Sequence, residues 1–163
     1  MSSEYRAYAR RDLGVCTVLV PEAVGEPGSR RFRLRVEAEH GTALLWIEKE
    51  ELHELAITIK RLLRTGVQRT GEPDVGGDPE ATADVDCKVT SLALGHDRAS
   101  GRYMLLAQAF PDGSDAIALW AERETLDHMA DRAFEVHDAG RPRCPFCGGP
   151  TVPGRRHVCV RAN

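Results

Sequence analysis

The sequence predicts an α+β protein. Two β-β-β-α repeats pack as a two-layer sandwich with pseudo-twofold symmetry, and a C-terminal zinc-knuckle tail follows. Three observations carry this. Residues 45–56 and 119–130 are near copies: Leu45, Trp46, Glu48, Glu50, Leu52 and Ala56 recur as Leu119, Trp120, Glu122, Glu124, Leu126 and Ala130. Ahead of the first copy the apolar residues alternate with period two, and in both copies they then take a helical period. Beyond residue 140, Cys144-x-x-Cys147 and His157-x-Cys159 have the spacing of metal ligands.

Residues 1–13 are polar and arginine-rich and read as an arm. Val15–Val20 has strand composition, and Gly25-Glu26-Pro27-Gly28-Ser29 is a turn cluster. From Arg31 to Ala38 the chain alternates. Phe32, Leu34, Val36 and Ala38 share one face, and Arg31, Arg33, Arg35 and Glu37 share the other. Thr42–Ile47 is a third strand. Leu52, Leu55, Ala56, Ile59, Leu62 and Leu63 then mark one face of a helix over 48–65, with Glu48, Glu50 and Glu51 at its positive end and Gly66 as its C-cap. Residues 71–86 hold acids, glycines and prolines and little to bury, the composition of a solvated, mobile linker.

The second half repeats the pattern. Cys87 answers Cys16 and Tyr103 answers Phe32. Pro111-Asp112-Gly113-Ser114 replaces the shorter turn at His40-Gly41, and a helix over 122–139 buries Leu126, Met129, Ala130, Ala133 and Val136. One such unit is too small to bury a sufficient core, so two share one. The connections within each half are too short for parallel crossovers, which predicts an antiparallel sheet. The domain boundaries expected are repeat one at 14–66, an acidic linker at 67–85, repeat two at 86–140 and the tail at 141–163.

The tail is the segment with recognisable chemistry. Cys144, Cys147, His157 and Cys159 supply three thiolates and one imidazole, a closed tetrahedral set for a structural Zn²⁺ rather than a hydrolytic one. The place of His157 can also be taken by a water or by His137. With few apolar residues of its own, the tail has little reason to fold without metal. The alternatives are an unstructured tail with reduced thiols, or a redox pair. The latter opens a helix after a strand, whereas prolines and glycines surround this one.

The net charge is −3. Arg141, Arg143, Arg155, Arg156 and Arg161 face no acidic residue within 141–163, so a basic tail follows an acidic body. With Arg31, Arg33 and Arg35 they form the candidate contact surface. Glu48, Glu50, Glu122 and Glu124 read as helix N-terminal charge rather than acid–base pairs. Trp46 and Trp120 read as core residues rather than a ligand platform, and Cys16 and Cys87 as buried small hydrophobes. No long apolar run spans a membrane and the first residues lack a signal-peptide core, so a cytoplasmic location is expected. No phosphate loop, nucleophile elbow or triad order is present.

Val24-Gly25-Glu26-Pro27-Gly28 with Arg31-Phe32, Glu48-Lys49-Glu50, and the ending Gly140-Arg141-Pro142-x-Cys144-Pro145-x-Cys147-Gly148, then His157-x-Cys159-x-Arg161-Ala162-Asn163, carry a resemblance. Over nearly its whole length the chain resembles an actinobacterial family of repeat proteins catalogued as domain of unknown function 3090. Val160 stands where that family usually has proline. Members are often encoded beside a histidine-phosphatase-like and a kinase-like protein. The resemblance therefore implies an accessory role to enzymes rather than catalysis. The expected function is a zinc-stabilised interaction or adaptor protein with a protein partner. The alternatives are a nucleic-acid-binding module using the arginine-rich tail, and a small-molecule enzyme or sensor with its pocket between the repeats.

Overall fold

The computed structural model describes residues 11–26, 28–68, 76–109 and 116–139, and within the tail 144, 146–147, 151 and 156–161. The arm before residue 11, the turn at 111–114, Gly140, and the arginines 141, 143 and 155 lie outside the described residues.

The chain is α+β, with six strands and two helices among the described residues. Strands β1 (Arg11–Val24), β2 (Arg31–Ala38) and β3 (Gly41–Ile47) precede helix α1 (Lys49–Leu63). Strands β4 (Val85–His96), β5 (Tyr103–Ala109) and β6 (Ala116–Ala121) precede helix α2 (Arg123–Ala139). The expected element order is present in both halves. No helix among the described residues is long and apolar enough to cross a membrane.

The layering differs from expectation. The strands close into a barrel in chain order, and β6 returns to pair with β1. Closure rests on the two long strands, each of which changes partner midway. β1 runs beside β6 at Arg11 to Val15, then beside β2 from Cys16 to Val24. β4 runs beside β3 from Val85 to Lys88, then beside β5 from Val89. Irregular register along these strands turns each one from one sheet to the other. A closed sheet leaves no edge to be covered, which an open sandwich would. Nor is the sheet wholly antiparallel, because β3–β4 and β6–β1 are parallel. The connections within each half are indeed hairpins. The joint from β3 to β4 runs through α1 and residues 64–84, long enough for a crossover.

One core joins both helices to one face of the strands. Leu34, Val36, Ala43, Leu45, Leu105, Ile117 and Leu119 meet Leu52, Ala56, Ile59, Leu126, Met129 and Ala133. Each fully buried leucine contributes roughly 2 kcal/mol by its removal from water. Leu62, expected inside, is 44% exposed. The helices are tied together through Lys60. Its ammonium lies 2.8 Å from Asp127 and 2.7 Å from Asp131, and Thr65 donates to Asp127 at 2.5 Å. Helix α1 ends two residues before the expected cap. Arg64, not Gly66, takes the left-handed conformation (φ 55°), and the Thr65 N–H closes the turn onto the Lys60 carbonyl at 3.1 Å.

Two further readings change. Strand β1 begins inside the expected arm, because Arg11 and Asp12 pair with β6. Of the expected linker, residues 76–84 lie against the barrel and the residues from Val85 onward belong to β4. Gly76 bridges Ala23, the Gly77 N–H donates to the Ala23 carbonyl at 2.9 Å, and Asp84 accepts the Thr42 N–H at 2.9 Å. Gly77 packs so closely that a Cβ there would meet Glu22 Oε2 at 2.6 Å.

Candidate functional site

Strand periodicity places Trp46 and Trp120 on the barrel's outer side, with Leu44 and Ala118, rather than in the main core. Both are half-buried. Each indole N–H donates to an aspartate near the start of the other half's first strand: Trp46 to Asp86 at 2.7 Å, and Trp120 to Asp12 at 3.4 Å. Glu48 and Glu122, which follow the two tryptophan strands, pair with Lys88 (2.8 Å) and Arg102 (2.7 Å). Their role is electrostatic pairing at helix starts. Cys16 is buried, and burial pushes its thiol up to about 11. Cys87 is half-buried.

The arginine row on β2 divides. Arg31 is exposed and its guanidinium lies over the Trp46 ring, 4.1 Å from the centroid. Arg33 is 1% exposed. It donates to Glu22 at 2.8 Å and to the Asp78 carbonyl at 2.8 Å, beneath the segment that begins at Gly76. Arg35 is half-exposed and bound by Glu22 (2.7 Å) and Glu37 (3.1 Å). Arg33 is therefore out of a partner's reach, which leaves Arg31 and Arg35 as the accessible arginines of this strand. In the tail, Arg156 and Arg161 are exposed.

The tail residues converge. One ligand atom from each of Cys144, Cys147, His157 and Cys159 lies within 4.8 Å of every other. Cys144 Sγ is 3.7 Å from Cys159 Sγ, and Cys147 Sγ is 3.3 Å from His157 Nε2. A tetrahedral metal with bonds of about 2.3 Å to sulfur and about 2.0 Å to nitrogen spaces its ligands about 3.8 Å and 3.5 Å apart. The spacing observed therefore fits such an ion. The Cys144 thiol is brought down to about 6. The Cys147 and Phe146 backbone N–H groups lower it most, and the Cys159 and Cys147 side chains add to this against the effect of burial. The Arg161 N–H donates to Cys159 Sγ at 3.4 Å. Amides aimed at sulfur stabilise thiolates, the form that binds metal. The structure thus brings together all four residues chosen from the sequence, His157 included.

One cluster was missed. Glu50 and His53 on α1 and His137 on α2 bring their ligand atoms within 4.8 Å of one another. The spacing Glu50-x-x-His53 was visible in the sequence, but the register that brings His137 across from α2 was not. The two imidazoles stack at 4.2 Å with planes 20° apart, and Phe134 meets His53 edge-on at 5.5 Å. A metal binds in the plane of an imidazole, and nearly parallel stacked rings do not aim their lone pairs at one point. We read this cluster as packing between the helices.

A family model described as "Protein of unknown function (DUF3090)" matches residues 12–159, and the chain belongs to that family. The match spans both halves and extends to Cys159. No curated protein and no solved structure matches the chain.

Proposed function

We propose that this member of the DUF3090 family is a zinc-stabilised, non-catalytic interaction protein, accessory to partner enzymes, with its metal-bound tail as the docking element. The convergence of Cys144, Cys147, His157 and Cys159 carries the metal part of the reading. Three thiolates and an imidazole are a soft ligand set that suits zinc, and four protein ligands leave no open position for a substrate.

The docking part rests on what lies between and just beyond the ligands. Phe146, Val158 and Val160 are 67%, 84% and 90% exposed, the most exposed large apolar residues described. A metal clamp that holds apolar side chains in water, beside the exposed Arg156 and Arg161, suits a protein with an apolar pocket and an acidic rim. Reduced thiolate ligands fit a cytoplasmic location.

In the same reading the two halves are a duplicated unit about a pseudo-twofold axis within residues 1–140, and 141–163 form the metal tail. The paired Trp46–Asp86 and Trp120–Asp12 bonds support duplication.

Affinity purification of the full-length protein from its native lysate, with mass spectrometry, tests the proposal. A specific partner is expected with the wild type and lost from a Phe146→Asp variant that keeps its zinc. Capture unchanged in that variant would remove the tail as docking element.

A further inference from the structure

We propose that the groove floored by Trp46 binds a nucleotide-type ligand, a small molecule that carries a phosphate chain and a planar ring. The groove encloses ≈ 330 Å³ and is lined by Arg30, Arg31, Lys49 and Lys88, with Glu48 as its acid. That volume lies at the lower end of small-molecule sites, which run from about 300 to 1,000 Å³.

The charge arrangement points to the ligand. Lys88 is paired with Glu48. Elsewhere Arg33, Arg35, Arg102, Arg132 and Lys60 each have a carboxylate partner. Arg30, Arg31 and Lys49 make no close ion pair among the described residues, although the Glu48 carboxylate attracts Arg31 from a longer range, and all three converge on one concavity. Glu48 offsets only part of this charge, and the remaining like charges repel one another unless a further anion joins them. Arginine forks and a lysine point charge are the groups that bind phosphate oxygens.

The aromatic floor points to the ring. Asp86 holds the Trp46 N–H at 2.7 Å and so fixes the indole. Arg31 lies over that indole at 4.1 Å, and Lys49 lies 5.9 Å from the Phe32 centroid. A guanidinium held over an indole is a flat cationic platform on which a heterocycle stacks. Asp86, which holds the indole N–H, is exposed and would repel phosphates brought to that edge of the ring.

The cationic lining is particular to this groove. At Trp120 a cavity of ≈ 350 Å³ is lined instead by Asp12, Glu39 and Asp97, and its Arg102 is neutralised by Glu122. Two tryptophans with the same indole-to-aspartate bond thus stand in surroundings of opposite charge.

The chain has two tryptophans, so the full-length Trp120→Phe variant leaves Trp46 as the only indole reporter. This protein is titrated with ATP, with inorganic pyrophosphate and with oligothymidylates of increasing length, while Trp46 fluorescence is followed. ATP is expected to give a saturable change that weakens as salt rises. Pyrophosphate, which lacks a base to stack, is expected to bind roughly tenfold more weakly. An Arg30→Glu/Lys49→Glu double variant, with both changes on side chains outside the core, is expected to keep its melting temperature and lose at least roughly tenfold in ATP affinity. The proposal is overturned by no saturable response to ATP, or by unchanged affinity in a double variant that melts like wild type. Equal binding of pyrophosphate would remove the ring. Affinity that grows with oligonucleotide length beyond that of ATP would make the groove a single-strand site instead.

Discussion

Cys144 Sγ and Cys159 Sγ, fifteen residues apart in the chain, lie 3.7 Å from each other, the ligand spacing of a tetrahedral metal–thiolate site. Cys147 and His157 complete the set. The thiols of this chain therefore fall into distinct environments, and their reactivity should separate accordingly.

The first prediction concerns those thiols. Cys16 is 4% exposed, with its thiol raised to about 11 by burial, so it should not react in the native protein. Cys144, Cys147 and Cys159 should react slowly while metal holds them. A strong chelator should release these three per chain to a chromogenic thiol reagent. Equal reaction with and without chelator would count against a metal-bound tail.

The second concerns the join between the helices. Lys60→Ala leaves Asp131, whose side chain is 7% exposed, without its cation. Urea unfolding should show a loss of about 3 kcal/mol or more, the usual cost of breaking a buried pair from one side. The loss should shrink in acid. Burial raises the Asp127 carboxyl, but hydrogen bonds from Lys60 and Thr65 outweigh it and hold the group below its ordinary 3.8. A depressed carboxylate contributes stability above its unfolded value and loses it as pH falls through the folded one. The gap between wild type and variant should therefore narrow as pH falls through the folded value, which lies below 3.8. A gap that stays constant into strong acid would mean the loss comes from packing alone.

The third concerns the end of α1. Arg64 holds φ at 55° with an exposed side chain that forms no ion pair among the described residues. Glycine adopts this conformation without the steric penalty of a Cβ, so Arg64→Gly should stabilise the protein by about 0.5–1 kcal/mol in thermal or urea unfolding. A loss of stability would show that the arginine stem covers more of the surface than its exposure implies.

What could be read in advance was local. Alternation in 31–38 and the 3.6 period after Glu48 are properties of neighbouring residues, so the strand-strand-strand-helix order was legible in the first half and carried to the second by its matching residues. The cluster of Cys144, Cys147, His157 and Cys159 was legible for the same reason, because CxxC and HxC spacing needs no fold to be recognised. Barrel closure was not legible. It depends on β1 and β4 changing partners midway, and no local pattern reports which distant strand each will meet. Trp46 was misread as a core residue because its strand is apolar from Ala43 to Ile47. Its parity with Thr42, opposite to Ala43, Leu45 and Ile47, was the signal that it faces outward. Arg33 shared its alternation with Arg31 and Arg35, and nothing nearby could show that residues from Gly76 onward fold across it.

The most direct test of the account is the metal content of the protein. Full-length protein purified reduced and without chelator should carry about one zinc per chain by elemental analysis, and a Cys144→Ser/Cys147→Ser variant should carry none. Wild-type protein without stoichiometric metal, or a double variant that retains it, would contradict the account.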